Sequence, residues 1–283
     1  MKNPLELWIA IPDSAISDEQ TKRDKSIKIS QFARASAIFR VKRIYIYHCK
    51  DSQVEKEDLT ILTTLLRYLD TPQYLRRILY RRMIQLEYAG ILHPIKAPHH
   101  KHLEDVKNIK IDDIRVGVIV KVKGTFYVEV GLGTLVLYDG KGFEGKKVNV
   151  KFTSAYPNLR AEEATTEDIK GYYWGYEVKE VPSLHKLLKG TENTEVVITS
   201  RKGSYFKSNE AKLTERLKSI RNLLLVFGGP KKGVEQILSD EGQSIKSYEF
   251  VVNMFPFQGT ETVRLEESVL GTLAILNHVL SKY

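Results

Sequence analysis

Two stretches near the end of the chain decide how the whole is read. They are Asn222-Leu223-Leu224-Leu225-Val226-Phe227-Gly228-Gly229-Pro230-Lys231-Lys232-Gly233 and Phe250-Val251-Val252-Asn253-Met254-Phe255-Pro256-Phe257-Gln258-Gly259-Thr260-Glu261-Thr262-Val263-Arg264-Leu265-Glu266-Glu267. Each opens as an unbroken apolar run, the signature of a strand covered on both faces, and then breaks into a loop rich in glycine and proline. A helix-patterned tail, Ser268 to Leu280, follows the second. Ligands of open α/β sheets collect at the carboxyl ends of strands, where such loops lie. Two of them so close in sequence imply one bound small molecule.

Working outward, the first third repeats the same alternation. Leu5 to Ile11 reads as a buried strand ended by Pro12-Asp13-Ser14, Asp18 to Val41 as a helix, and Arg43 to His48 as a second strand. Asp58 to Leu69 is again helical, and Pro72 breaks the pattern before a basic helical stretch at Tyr74 to Met83. Strand and helix in alternation predict an α/β domain with a mainly parallel sheet. Ser183 to Leu188, Thr194 to Ser200 and Asn209 to Ser219 resume that order as helix, strand and helix. Between the halves, the period drops to two. Val116–Val122, Phe126–Val130, Thr134–Tyr138, Lys146–Phe152 and Tyr172–Val178 are short strands with glycine corners, which predict a small OB-like β-barrel. The expected division is residues 1–93 with 182–283 as one discontinuous domain, and 94–181 as the inserted barrel.

The 283 residues carry 44 Lys and Arg against 35 Asp and Glu, a net charge of +9, which fits a polyanionic partner, nucleic acid first, and fits equally a basic protein with no such partner. Cys49 is the only cysteine, so no internal disulfide or multi-cysteine zinc site can form, and its place in an apolar run predicts a structural thiol. No apolar run approaches the ~20 residues needed to cross a membrane, and the start is too short and too acidic for a signal peptide. A cytosolic protein, or a nuclear one in a eukaryote, is expected.

Ile29-Ser30-Gln31-Phe32-Ala33-Arg34-Ala35-Ser36-Ala37-Ile38-Phe39, Val226 to Gly233 and Pro256 to Glu267 together resemble the three motifs of the SPOUT superfamily of S-adenosylmethionine-dependent RNA methyltransferases. The resemblance is to the archaeal and eukaryotic branch with an OB-like domain inserted in the catalytic domain. It implies a trefoil-knotted domain, an obligate homodimer, and S-adenosylmethionine held between the knot loops. The first motif is a helix whose arginine, here Arg34, faces the substrate.

On this basis the expected cofactor set is Phe227, Gly228, Gly229, Pro230, Asn253, Pro256, Gln258, Gly259, Thr262 and Leu265. The glycines let backbone approach a ligand closely, and the apolar members wall an adenine slot. Read singly, they turn the chain after strands and nothing more. Arg34 and Glu261 are the expected catalytic residues: a guanidinium steadies a deprotonated base or a phosphate, and a carboxylate offsets a sulfonium or takes a proton. The plainer alternatives are a rim arginine and helix-start carboxylates. Arg23, Arg76, Arg77 and Arg264 are candidate RNA contacts, each equally readable as a solvated face or, for Arg264, as a partner of its neighbouring glutamates. His99, His100 and His102 lie in a polar loop without cysteine or nearby acidic ligands in a fixed helix or strand, so no metal is expected and a solvated or RNA-facing cluster is.

The reading is an S-adenosylmethionine-dependent methyltransferase acting on rRNA. Lys231-Lys232 stand where many superfamily members have an acidic residue, and the third motif ends in Arg264-Leu265-Glu266-Glu267. Both departures favour a base nitrogen over a ribose 2′-oxygen. The alternatives are a non-catalytic RNA-binding or ribosome-assembly factor with the same fold, and a scaffold whose knot serves dimerisation alone.

Overall fold

A computed structural model describes residues 5–50, 54–102 and 104–281. In chain order its elements are β1 (Glu6–Pro12), α1 (Lys22–Ile38), β2 (Arg43–Tyr47), α2 (Lys56–Leu69), α3 (Gln73–Leu79), β3 (Ile114–Val122), β4 (Thr125–Glu129), β5 (Val136–Tyr138), β6 (Lys147–Ser154), β7 (Arg160–Glu163), β8 (Glu177–Val181), α4 (Leu184–Lys189), β9 (Thr194–Tyr205), α5 (Phe206–Leu217), β10 (Asn222–Val226), α6 (Val234–Asp240), β11 (Phe250–Asn253) and α7 (Leu265–Leu280). The chain divides into two compact units: residues 1–67, 85–93 and 175–283, and residues 68–84 with 94–174.

The first unit is built on a six-stranded sheet in the order β11-β9-β10-β1-β2-β8, every pairing parallel. A parallel sheet needs cover on both faces, and the strands read accordingly as apolar runs without alternation. Trp8 and Ala10 of β1, Tyr45 and Tyr47 of β2 and Leu224 and Val226 of β10 join α4 and α6 residues in one buried cluster. Successive side chains point to opposite faces, so Ile9, Ile11, Ile44, Ile46 and Leu225, all fully buried, serve the other. Helix α1 begins at Lys22, later than the periodicity predicts, because Thr21 caps it by accepting from the Asp24 amide at 3.1 Å.

The second unit is a closed barrel of five strands, β3-β4-β5-β7-β6, antiparallel except for the β5–β7 pair. Its core collects Ile119, Val128, Val130, Val136, Tyr138, Val150, Phe152 and Ala161. Helix α3 packs Leu75 against Val116 and Val118.

The fifth barrel strand is β7, not the expected 172–178. Only Ala161 of β7 faces the core, so Arg160-Ala161-Glu162-Glu163 carries no apolar alternation. The stretch 172–178 instead ends the barrel unit and starts β8, whose Glu177–Val181 pairs with Arg43–Tyr47. The histidine loop also departs from expectation. His99 is fully buried and His100 half-buried; both ring Nε2 atoms lie on the Asp70 carbonyl oxygen, at 3.0 and 2.9 Å. Among the candidate RNA contacts on α3, Arg77 is exposed. Arg76 lies over the Tyr68 ring and donates to the carbonyls of Thr71 and Leu69.

Candidate active site

The carboxyl ends of β9, β10 and β11, three adjacent strands, open into a cavity of about 930 Å³. This is the position at which open parallel sheets bind ligands. Its lining comes from Thr199–Lys202 of β9, just past the end of its pairing with β10, from Phe227–Lys231 with the start of α6, and from Asn253–Ser268 in part.

The β10 loop is fixed by the sheet itself. Phe227 is fully buried, donates its amide to the Ala10 carbonyl at 2.9 Å, and accepts the Tyr47 hydroxyl at 2.6 Å. The Gly229 amide then closes the loop on the Lys232 carbonyl at 2.8 Å. A Cβ on Gly228 would stand 2.9 Å from backbone of Gly233 and Val234, and one on Gly229 2.9 Å from Ser14 Oγ. Glycine is therefore required at 228 by the packing of the loop against its own backbone, whereas at 229 the Ser14 side chain would have to give way. Gly259 has nothing within 4 Å of such a Cβ, so no close approach explains it.

The β11 loop hangs on Asn253. Its side-chain amide donates to the Arg201 carbonyl at 3.0 Å, and its Oδ1 accepts from the Phe255 amide at 2.9 Å, tying β9 to the loop. Arg201 returns the connection by donating to the Glu261 carbonyl at 2.6 Å. Gln258 bonds the carbonyls of Thr260 and Glu261. Phe257, with φ of 61° and 89% exposed, projects from the tip beside Tyr205.

Behind the lining lies an ion-pair hub. The buried Lys28 ammonium holds Asp18 at 2.6 Å and Glu266 at 3.1 Å. Arg264, at the N-cap of α7, pairs with Asp18, Glu19 and Glu266. Burial alone would raise the Asp18 carboxyl, but the Lys28 hydrogen bond and charge outweigh it and hold the group below its usual value. Glu267 closes a capping box on the Arg264 amide, so of the carboxylates beside this loop only Asp18, Glu235 and Glu261 line the cavity.

Of the residues expected at the cofactor, Phe227, Gly228, Gly229, Pro230, Asn253, Gln258, Thr262 and Leu265 line the cavity, as do Glu261 and Arg264. Pro256 and Gly259 are in the same loop but outside the lining. Arg34 and Arg23 are exposed on α1, away from it, and Arg76 and Arg77 belong to the other unit. The motifs gave no sign of Thr199, Ser200, Arg201, Lys202 and Asp18. The strand-end rule could have found the first four, since Thr194–Ser200 is legible as a strand whose carboxyl end must face the same way as its parallel neighbours.

A family model described as "Putative RNA methyltransferase" matches residues 6–276. A 28S rRNA (uridine-N(3))-methyltransferase of Drosophila melanogaster is 30% identical over 98% of this chain and 63% of its own length; the chain thus spans less than two thirds of that relative. The mouse protein of the same name is 28% identical over 99% of this chain and 78% of its own. An uncharacterised protein of Haloarcula marismortui is 26% identical over 95% of this chain and 97% of its own. With the match running from the first strand into the last helix, and with the motif loops lining one cavity, the chain belongs to this SPOUT-like family of RNA methyltransferases.

Proposed function

We propose that this chain transfers a methyl group from S-adenosylmethionine to N3 of a uridine in large-subunit rRNA. The observation that carries the reading is the single cavity into which the second and third motif loops converge. Its lining fits the cofactor chemically. Phe227, Met254 and Leu265 offer an apolar slot for a purine, loop backbone surrounds it, and the Asp18, Glu235 and Glu261 carboxylates suit a sulfonium cation. When bound, S-adenosylmethionine supplies an electrophilic methyl carbon.

The chain's own work is positioning and charge control. Uridine N3 bears a proton that must leave before its lone pair can act, and we assign that proton to the Glu261 carboxylate. The negative charge then spreads to O2 and O4 of the base, and Arg201, Lys202 and Lys231 line the cavity as cations able to offset it. Arg34, exposed on α1, is assigned to holding the RNA. The rRNA and N3 assignments come from the named relatives. The homodimer and the trefoil knot come from the family resemblance. The order β3-β4-β5-β7-β6 with one parallel pair supports an OB-like barrel that recruits single-stranded RNA.

Calorimetric titration with S-adenosylmethionine, followed by transfer of labelled methyl to large-subunit rRNA and nucleoside mass spectrometry, tests the proposal. Saturable binding and 3-methyluridine are expected, and Arg34→Ala should weaken RNA binding and slow transfer while sparing cofactor affinity. Binding without transfer would leave an RNA-binding factor. Absence of binding by folded protein, with or without RNA, would overturn the reading.

A further inference from the structure

We propose that Asp70, His99 and His100, in the barrel-bearing unit, form a binding site for a divalent transition metal, with Zn²⁺ the best-suited ion. The fold brings to the histidine pair a carboxylate from 29 residues before His99, at the end of α2. One ligand atom from each of the three residues falls within a mutual 4.8 Å. His99 Nε2 lies 3.3 Å from Asp70 Oδ1, close to the separation of about 3.3 Å between ligands of a tetrahedral ion with ~2.0 Å bonds. Two imidazoles and one carboxylate are a familiar zinc set that leaves a position for water.

The hydrogen bonding at His100 gives a second, independent argument. Its Nε2 is 2.9 Å from the Asp70 carbonyl oxygen while its Nδ1 lies against the Ile95 carbonyl oxygen. A neutral imidazole has one N–H, so one of these contacts sets a lone pair against a carbonyl oxygen. A metal at Nε2 resolves the conflict: Nδ1–H donates to Ile95, the outer hydrogen bond that metal-bound histidines ordinarily make. His99 turns its Nε2 to the same residue, 3.0 Å from the Asp70 carbonyl oxygen.

Lys147 bears on the strength of the site. Its ammonium lies 3.3 Å from Asp70 Oδ2, so the ion would take Oδ1 alone and bind against a neighbouring positive charge. That contact separates the metal site from a purely structural knot. Removing the ammonium strengthens a metal site, whereas it takes one ion pair away from a knot held by ion pairs.

The test uses the full-length protein stripped with chelator. Zn²⁺ should bind at one ion per chain and raise Tm. Co²⁺ should give the visible bands of a four-coordinate ion and quench Trp174, whose ring lies 6.1 Å from that of His99, in a Trp8→Phe background. Asp70→Asn, which keeps the volume, should lose the bands, and Lys147→Met should tighten Zn²⁺ binding several-fold. The proposal is overturned if Co²⁺ gives neither bands nor quenching, if binding persists in Asp70→Asn, or if Lys147→Met gives no gain in affinity.

Discussion

Asn253 shows how much one side chain can decide. It is nearly buried and spends donor and acceptor on two different segments, so its loss frees the β11 loop from β9 as well as leaving two backbone groups unpaired. Asn253→Ala should weaken S-adenosylmethionine binding by about tenfold or more and cost roughly 1–3 kcal/mol of stability, read by calorimetry and urea denaturation. Lys28 is the larger liability. Its replacement by Met leaves Asp18 and Glu266 to Arg264 alone, with an expected cost below the roughly 3–5 kcal/mol of a fully uncompensated buried charge. The sign with pH follows from Asp18. A carboxyl held below its usual value in the folded state stabilises above the unfolded value, and that contribution fades as pH falls through the folded one. Wild-type protein should therefore lose stability on acidification more steeply than Lys28→Met. Cys49 reverses the direction: burial, then the Asp13 charge, push its thiol up to about 12. Alkylation near pH 8 should run on the order of 10³ slower in folded protein than in urea, and a rate equal in both would contradict the burial.

At the scale of elements, β9 carries the site. It runs to Tyr205, well past the end of its pairing with β10, and a register shift on β11 falls between Val251 and Val252. Gly203 sits at that shift, where a Cβ would stand 2.6 Å from the Val251 carbonyl oxygen. Gly203→Ala should separate the two strands and reduce both the urea midpoint and cofactor affinity, whereas Gly259→Ala, with open space around it, should leave stability unchanged. The same elements show what sequence can carry. β1, β2, β10 and β11 were legible because strands buried on both faces are continuously apolar. β7 was not, because a short strand with one inward alanine leaves no pattern to read. The aromatic run at 172–176 misled for the opposite reason, since it alternates like a barrel strand. The motif loops pointed to most of the cavity lining, but Asp18 is placed by a buried lysine on another helix, a contact with no local signature.

At the scale of the molecule, the net charge of +9 makes RNA affinity an ionic-strength quantity. Log affinity for single-stranded RNA should fall linearly with log salt, with a slope of about −0.7 for each phosphate neutralised. Arg77→Ala should flatten that slope by roughly one contact if this exposed residue meets the backbone, and light scattering of the intact protein should give twice the monomer mass if the dimer forms.

The strand order also dictates a timetable for synthesis. β1 is made long before β10, yet it sits between β2 and β10, and its Glu6–Ala10 edge pairs with Asn222–Val226. A nascent chain therefore carries an open, apolar strand edge until β10 is made, while the barrel, whose strands all fall within residues 114–163, can close on its own segment much earlier. Ribosome-bound chains that stop short of β10 should be cut readily in the first segment and resist in the barrel, so the newborn protein spends its longest vulnerable period with a finished insert and an unfinished host.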